Sequence, residues 1–243
     1  MAYGERAAAA FVGARHLARD GLSGWREAVG RYLGPRPGMR LLDLGSGTGA
    51  WAAAFVEWYG IEVVAVEPAA AMRDRSVCRP VLAGDAAAIP LPDGSVDGVW
   101  MSTVIHHVPD LGAAAAEIRR VLRPGGPVLI RSAFAGRAEN ITLFRYFREA
   151  VRVLDTFPGV DEVRAAFATA GFGYVALEPV PQVTADSLGA AVARMDRDAH
   201  TPLKLLTDEE YETGLARLRA AAGTATGPVV DSLDLLVLRQ PLS

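Results

Sequence analysis

The chain is poor in the residues that staple or ground a protein. It has a single cysteine, Cys78. One thiol cannot close an intrachain disulfide, and no cysteine–histidine spacing suits zinc, so no metal is expected. The fold must rest on its apolar core in a reducing interior. Lysine is nearly absent as well. Lys204 is the lone lysine among 25 basic residues, against 28 acidic ones, for a net charge of −3. That balance offers no electrostatic footprint for nucleic acid. No apolar run reaches the roughly 18 residues that argue for a membrane-spanning helix. The apolar N-terminal stretch is interrupted by Arg15, His16 and Arg19, unlike a signal peptide. A soluble, cytoplasmic protein is expected, monomeric or homodimeric. The chain of 243 residues is 51% hydrophobic, which suits one α/β domain with additions.

What is present is an alternation. Residues 5–33 read as helix broken near Gly21, and "GPRPG" at 34–38 stops it. Short apolar runs at 39–44, 61–67, 79–84, 96–102 and 127–134 read as strands. Helical stretches at 50–60, 69–75 and 111–122 separate them, the last capped by Asp110. Strand–helix alternation predicts a parallel sheet with helices on both faces. After Phe134 the rhythm changes. An amphipathic helix is expected at 138–157 and another at 159–172, capped by Asp161. A strand at 173–183, two polar-faced helices within 185–222 and a last strand at 232–240 complete the reading. The charge runs "MDRDAH" and "TDEEYE" read as solvated helix faces.

The most informative stretch is "LLDLGSGTGAW", 41–51. Gly45, Gly47 and Gly49 follow a buried strand and open a helix. Glycine lets a ligand approach the backbone, and a helix start presents free N–H groups. In an open α/β sheet, ligands sit at this carboxyl edge. The spacing also satisfies the loose dinucleotide pattern, and Glu67 after the second strand would suit the ribose of NAD. The turn alone leaves the cofactor open.

Further motifs follow in order: "VVAVEP", "AGDAAAIPLPDGSVDGVWMS" and "LRPGGPVLI". Together with the glycine turn, the segment 39–134 resembles the class I S-adenosylmethionine-dependent methyltransferases, in the broad group that includes ubiquinone/menaquinone and natural-product enzymes. The resemblance implies a three-layer, Rossmann-like α/β fold with a seven-stranded, mostly parallel sheet whose last strand is antiparallel. It divides the single domain into a helical cap (1–38), a cofactor core (39–134), helices and a strand forming substrate lid elements (135–226), and the last strand (227–243). It implies S-adenosylmethionine as cofactor. Asp43 would hold the turn and meet the amino end, and Gly45, Ser46, Gly47 and Gly49 would cradle the methionine part. Glu67 would take the ribose hydroxyls, and Pro68 and Met72 would line the adenosine. Asp85 and the Ala86 N–H would meet adenine, and the Met101 backbone the amino group.

The implied activity is methyl transfer to an O, N or C atom of a small molecule. The rival is a protein that keeps the cofactor without methyl transfer, as a scaffold or as a catalyst of rearrangement. "MSTVIHHVPD" places His106 and His107 just past the fourth strand. An imidazole there suits a general base, with His107 the first candidate and His106 its companion; packing against the cofactor is the competing role. Some similar sugar enzymes pair the histidine with an acid at the end of strand five. This chain has Arg131 and Ser132 there. Lid candidates are Tyr3, Arg15, His16 and Trp25, and Phe144, Arg145, Tyr146 and Phe147.

Overall fold

The computed structural model describes residues 19–242. A 3-10 turn, Arg19–Leu22, leads into α1, Ser23–Leu33. Residues 5–18 of the expected helix, with Tyr3, Arg15 and His16, lie outside the described residues. The alternating part follows the expected order: β1 (Arg40–Leu44), α2 (Ala50–Tyr59), β2 (Glu62–Val66), α3 (Ala70–Asp74) and β3 (Val81–Leu82). Then come β4 (Gly98–Ser102), α4 (Leu111–Val121) and β5 (Pro127–Ser132). Asp110 caps α4 as expected, accepting from the Ala113 N–H at 2.9 Å. β3 is shorter than the expected 79–84. It is an edge strand paired only with β2, and Pro80 before it has no N–H to donate.

The C-terminal half departs further. The expected helix at 138–157 is α5 (Thr142–Tyr146), a 3-10 turn (Arg148–Ala150) and α6 (Val151–Leu154). The break falls at Phe147, whose backbone leaves the helical region (φ −96°, ψ 68°). Its ring is fully buried beside Tyr211, so packing overrides the local helical period. α7 spans Val160–Thr169, with Gly159 as N-cap; Asp161 instead pairs with Arg164 at 3.1 Å. β6 (Gly173–Ala185) is followed by α8 (Leu188–Ala193), α9 (Thr201–Lys204), α10 (Asp208–Ala222) and β7 (Val229–Arg239). Three helices thus replace the expected two. The charge runs act as caps: Asp196 accepts from the Asp198 N–H, and Thr207 and Glu210 form a capping box.

The seven strands order β3-β2-β1-β4-β5-β7-β6. β7 pairs antiparallel with both neighbours, and the other pairs are parallel. Each central strand is buried on both faces, which explains its unbroken apolar run. Leu42, Val99, Ile130 and Leu236 face α4 and α7. Leu41, Trp100, Leu129 and Val237 face α1 and α2. A third cluster, built on Phe144, Phe147, Leu203 and Leu215, unites the segments after β5 and β6.

Candidate active site

The carboxyl ends of β1 through β5 share one edge, and the strand order reverses between β1 and β4. Ligands bind at such a switch point. The glycine turn lies there. Gly45, Gly47 and Gly49 all have positive φ (74°, 56° and 75°). The Gly45 and Ser46 N–H groups both donate to the last carbonyl of β2, Val66, at 2.8 and 3.1 Å. A Cβ on Gly45 would collide with Val104, so no side chain can project there. Gly49 is the N-cap of α2.

Two carboxylates support the turn. Asp43 is 1% exposed and accepts from the Ala52 N–H in the first turn of α2. Burial raises its carboxyl to about 7, the Glu67 charge adds to the rise, and the Ala52 bond opposes it. Its Oδ2 accepts no hydrogen bond among the described residues, and neither does the buried Ser46 hydroxyl. Glu67 accepts from the Gly47 and Ala69 N–H groups, each at 2.9 Å. Burial raises its pKa against those two bonds and the Arg73 charge.

A cavity of about 330 Å³ opens from this turn toward the third apolar cluster. Of the expected site residues, it is lined by Asp43, Gly45, Ser46, Gly47 and His106. His106 lines its wall and His107 does not. Gly49, Glu67, Pro68, Met72, Asp85, Ala86 and Met101 also lie outside it. Met72 and Met101 are buried, Pro68 and Asp85 are exposed, and Ala86 packs on the core. Asp85 uses one oxygen to accept from the Ala87 N–H at 2.9 Å. Glu67 and Asp85 follow β2 and β3, so they extend the edge away from the chamber.

The opposite wall comes from the late segments. Phe144 and Phe147 reach the cavity, as do Phe157, Met195 and His200. Arg145 is exposed, and Trp25 is buried beneath the site rather than in its wall. Sequence reasoning passed over Trp51, Thr103 and Gln182, which also line the cavity. Thr103 is the described non-glycine residue with positive φ, at 53°. A β-branched residue in that region is strained by about 1–3 kcal/mol. Its N–H donates to the Arg131 carbonyl at 2.7 Å, which holds it there. No sequence signal marks that conformation.

Known proteins match this geometry. Residues 42–130 match the family model described as a methyltransferase domain. Those residues run from within β1 to within β5 and include the glycine turn and His106. They form a methyltransferase domain. A malonyl-[acyl-carrier protein] O-methyltransferase of Serratia marcescens is 34% identical over 67% of this chain and 64% of its own length. The chain thus spans just under two thirds of that relative. A 27-O-demethylrifamycin SV methyltransferase of Amycolatopsis mediterranei is 28% identical over 76% of this chain and 72% of its own. A solved structure from Anabaena variabilis, described as a methyltransferase of an antibiotic biosynthesis pathway, shares the fold. Its TM-score is 0.66 at 23% identity, with 88% of this chain and 95% of that one covered. Among the described residues of this methyltransferase domain and its additions, no helix is long and apolar enough to cross a membrane.

Proposed function

We propose that the protein transfers the methyl group of S-adenosylmethionine to a small molecule held in the chamber, with oxygen as the favoured acceptor atom. The observation that carries this reading is the continuity of the cavity. One space is lined by Gly45–Gly47, by His106 and by Phe144 and Phe147 of the lid. A binding site for a cofactor alone would not need the lid end. The Serratia and Amycolatopsis relatives are both named for methylation at oxygen, which supports an oxygen acceptor.

The residues present fit the cofactor. The buried Asp43 Oδ2 needs a donor, and the amino end of methionine would supply a charged one. The Gly45 backbone leaves the surface of the turn open. Glu67 keeps lone pairs beyond its two backbone bonds, enough for ribose hydroxyls. When bound, the sulfonium supplies an electrophilic methyl group. The chain's part is to orient the acceptor, exclude water and remove a proton. The apolar lid would exclude water, and enclosure by Phe144, Phe147 and Phe157 would hold the acceptor in line. His106 would take the hydroxyl proton at an imidazole nitrogen, which contributes about 10²- to 10⁴-fold.

Calorimetry with S-adenosylmethionine and with NAD tests the cofactor. Labelled S-adenosylmethionine fed to a small-molecule extract tests the transfer. Binding of NAD without S-adenosylmethionine sinks the reading. So does cofactor binding with no labelled small-molecule product.

A further inference from the structure

We propose that Arg131 binds the carboxylate at the amino-acid end of S-adenosylmethionine, opposite Asp43; this rests on the methyl-transfer reading above. The two residues face the same space. Asp43 lies opposite Trp100 across the β1–β4 pair, and Trp100 opposite Leu129 across the β4–β5 pair. Arg131 stands two residues beyond Leu129, so the pleat returns it to the same face of the sheet as Asp43. With strands about 4.8 Å apart and about 3.3 Å per residue, the two backbones are about 12 Å apart. Both side chains line the one cavity, together with the glycine turn. The amino-acid end of the cofactor carries an ammonium and a carboxylate on one carbon. An acid and a base on one wall match that pair of charges.

Arg131 is also held in place for such work. It is 7% exposed. Its Nη1 donates to the Ser102 hydroxyl at 3.2 Å and its Nη2 to the Gln182 side-chain carbonyl at 3.0 Å. Its guanidinium carbon lies 4.9 Å from the Trp25 ring and 5.3 Å from the Trp51 ring. Indole faces stabilise a cation without neutralising it. Trp51 is the second residue of α2, the helix that the glycine turn opens, so the arginine sits against the turn's own helix. A planar guanidinium offers a carboxylate a two-pronged fork, which lysine cannot. The cavity's other arginine, Arg194, is exposed and bonds the Thr184 carbonyl on the lid side, away from the turn. An arginine where similar enzymes carry an acid therefore has a use that does not involve the histidine.

The experiment is calorimetry on the full chain with two probes, S-adenosylhomocysteine and its decarboxylated counterpart. The variants are Arg131→Gln and Arg131→Lys, with circular dichroism to check their fold. Wild type should prefer S-adenosylhomocysteine over the decarboxylated probe by about 10- to 100-fold, the range of a charged hydrogen-bonded pair. Arg131→Gln should lose that factor for S-adenosylhomocysteine and bind the decarboxylated probe as wild type does. Arg131→Lys should recover only part of the loss. Equal losses for both probes would overturn the proposal, because the arginine would then only brace the wall. Unchanged affinity for both, with a raised KM for the acceptor, would overturn it in favour of an acidic acceptor. Failure of wild type to bind either probe would instead fell the methyl-transfer reading itself.

Discussion

The imidazole of His106 lies flat against the ring of Phe157, with centroids 4.1 Å apart and planes 7° apart. The His107 ring also contacts the His106 ring, with centroids 4.0 Å apart and planes tilted by 48°. The residue at the cavity wall is thus fixed by a ring from the late, non-core part of the chain. His106→Ala should lower kcat by about 10²- to 10⁴-fold while cofactor affinity stays within about twofold. Phe157→Leu should lower kcat less, because it loosens the packing of the His106 ring without removing the imidazole. His107→Ala should hold kcat within about threefold. A larger loss from His107→Ala than from His106→Ala would reverse the assignment.

Asp43 should make ligand-free stability fall with pH. Its folded-state value, about 7, lies above the ordinary 3.8. The folded protein therefore holds a proton that the unfolded chain releases between those limits. The contribution favours folding below about pH 4, is lost as pH rises toward 7, and is flat above. Asp43→Asn should abolish this dependence. Affinity for S-adenosylhomocysteine should run the other way and strengthen through the same window, since an ammonium prefers the ionised carboxylate. Urea denaturation and calorimetry at about pH 5.5 and about pH 8 check both halves. Parallel pH slopes in wild type and Asp43→Asn would contradict the assignment.

The loop after β5 is clamped to β7 by Arg137 and Asp234. Arg137 donates to both carboxylate oxygens, through Nε to Oδ2 and through Nη2 to Oδ1 at 2.9 Å. Asp234 is 6% exposed, whereas the arginine side chain is 34% exposed. Removing the arginine strands a buried carboxylate. Breaking a fully buried pair costs about 3–5 kcal/mol, and partial exposure of Arg137 lowers that to about 2–3 kcal/mol. Arg137→Ala should show this loss in urea denaturation. It should also raise acceptor KM more than cofactor Kd, because the clamped loop leads into the lid and not to the glycine turn. A Kd that suffers as much as KM would mean the clamp serves the whole sheet edge.

The cofactor half of the molecule was readable because its physics is local. A buried strand ending at Leu44, glycines that need positive φ and a capped helix at Asp110 each leave a mark within a few residues. The lid half was not readable for the opposite reason. Phe147 belongs to a helical pattern, yet a partner 64 residues away, Tyr211, decides where its ring goes. Gln182 sits in a segment correctly read as strand, but nothing local says that an arginine from another strand will meet it. The two histidines fell between these cases. Their position past β4 was legible, while the packing of His106 on Phe157 at the cavity wall was not. The run at 207–212 is solvated at Asp208 and Glu209, as its charge implies, while Thr207 and Glu210 within it form a capping box.

Gly214 sets two opposing effects against each other. It lies buried within α10, where alanine would favour the helix by about 1 kcal/mol. A Cβ there would fall inside the contact distance of three Phe147 ring atoms. That ring is fully buried, with the Tyr211 ring 5.6 Å away, so it has little room to retreat. Overpacking of this kind costs about 1–3 kcal/mol, more than the propensity gain. Gly214→Ala should therefore be net destabilising by up to about 2 kcal/mol, read from urea denaturation. The Gly214→Ala, Phe147→Leu double variant should recover part of the loss, since leucine lacks the rigid ring and can turn its Cδ atoms away while the helix keeps its gain. If Gly214→Ala alone raised stability, the propensity gain would outweigh the clash, and the lid would be soft enough to reshape around its acceptor.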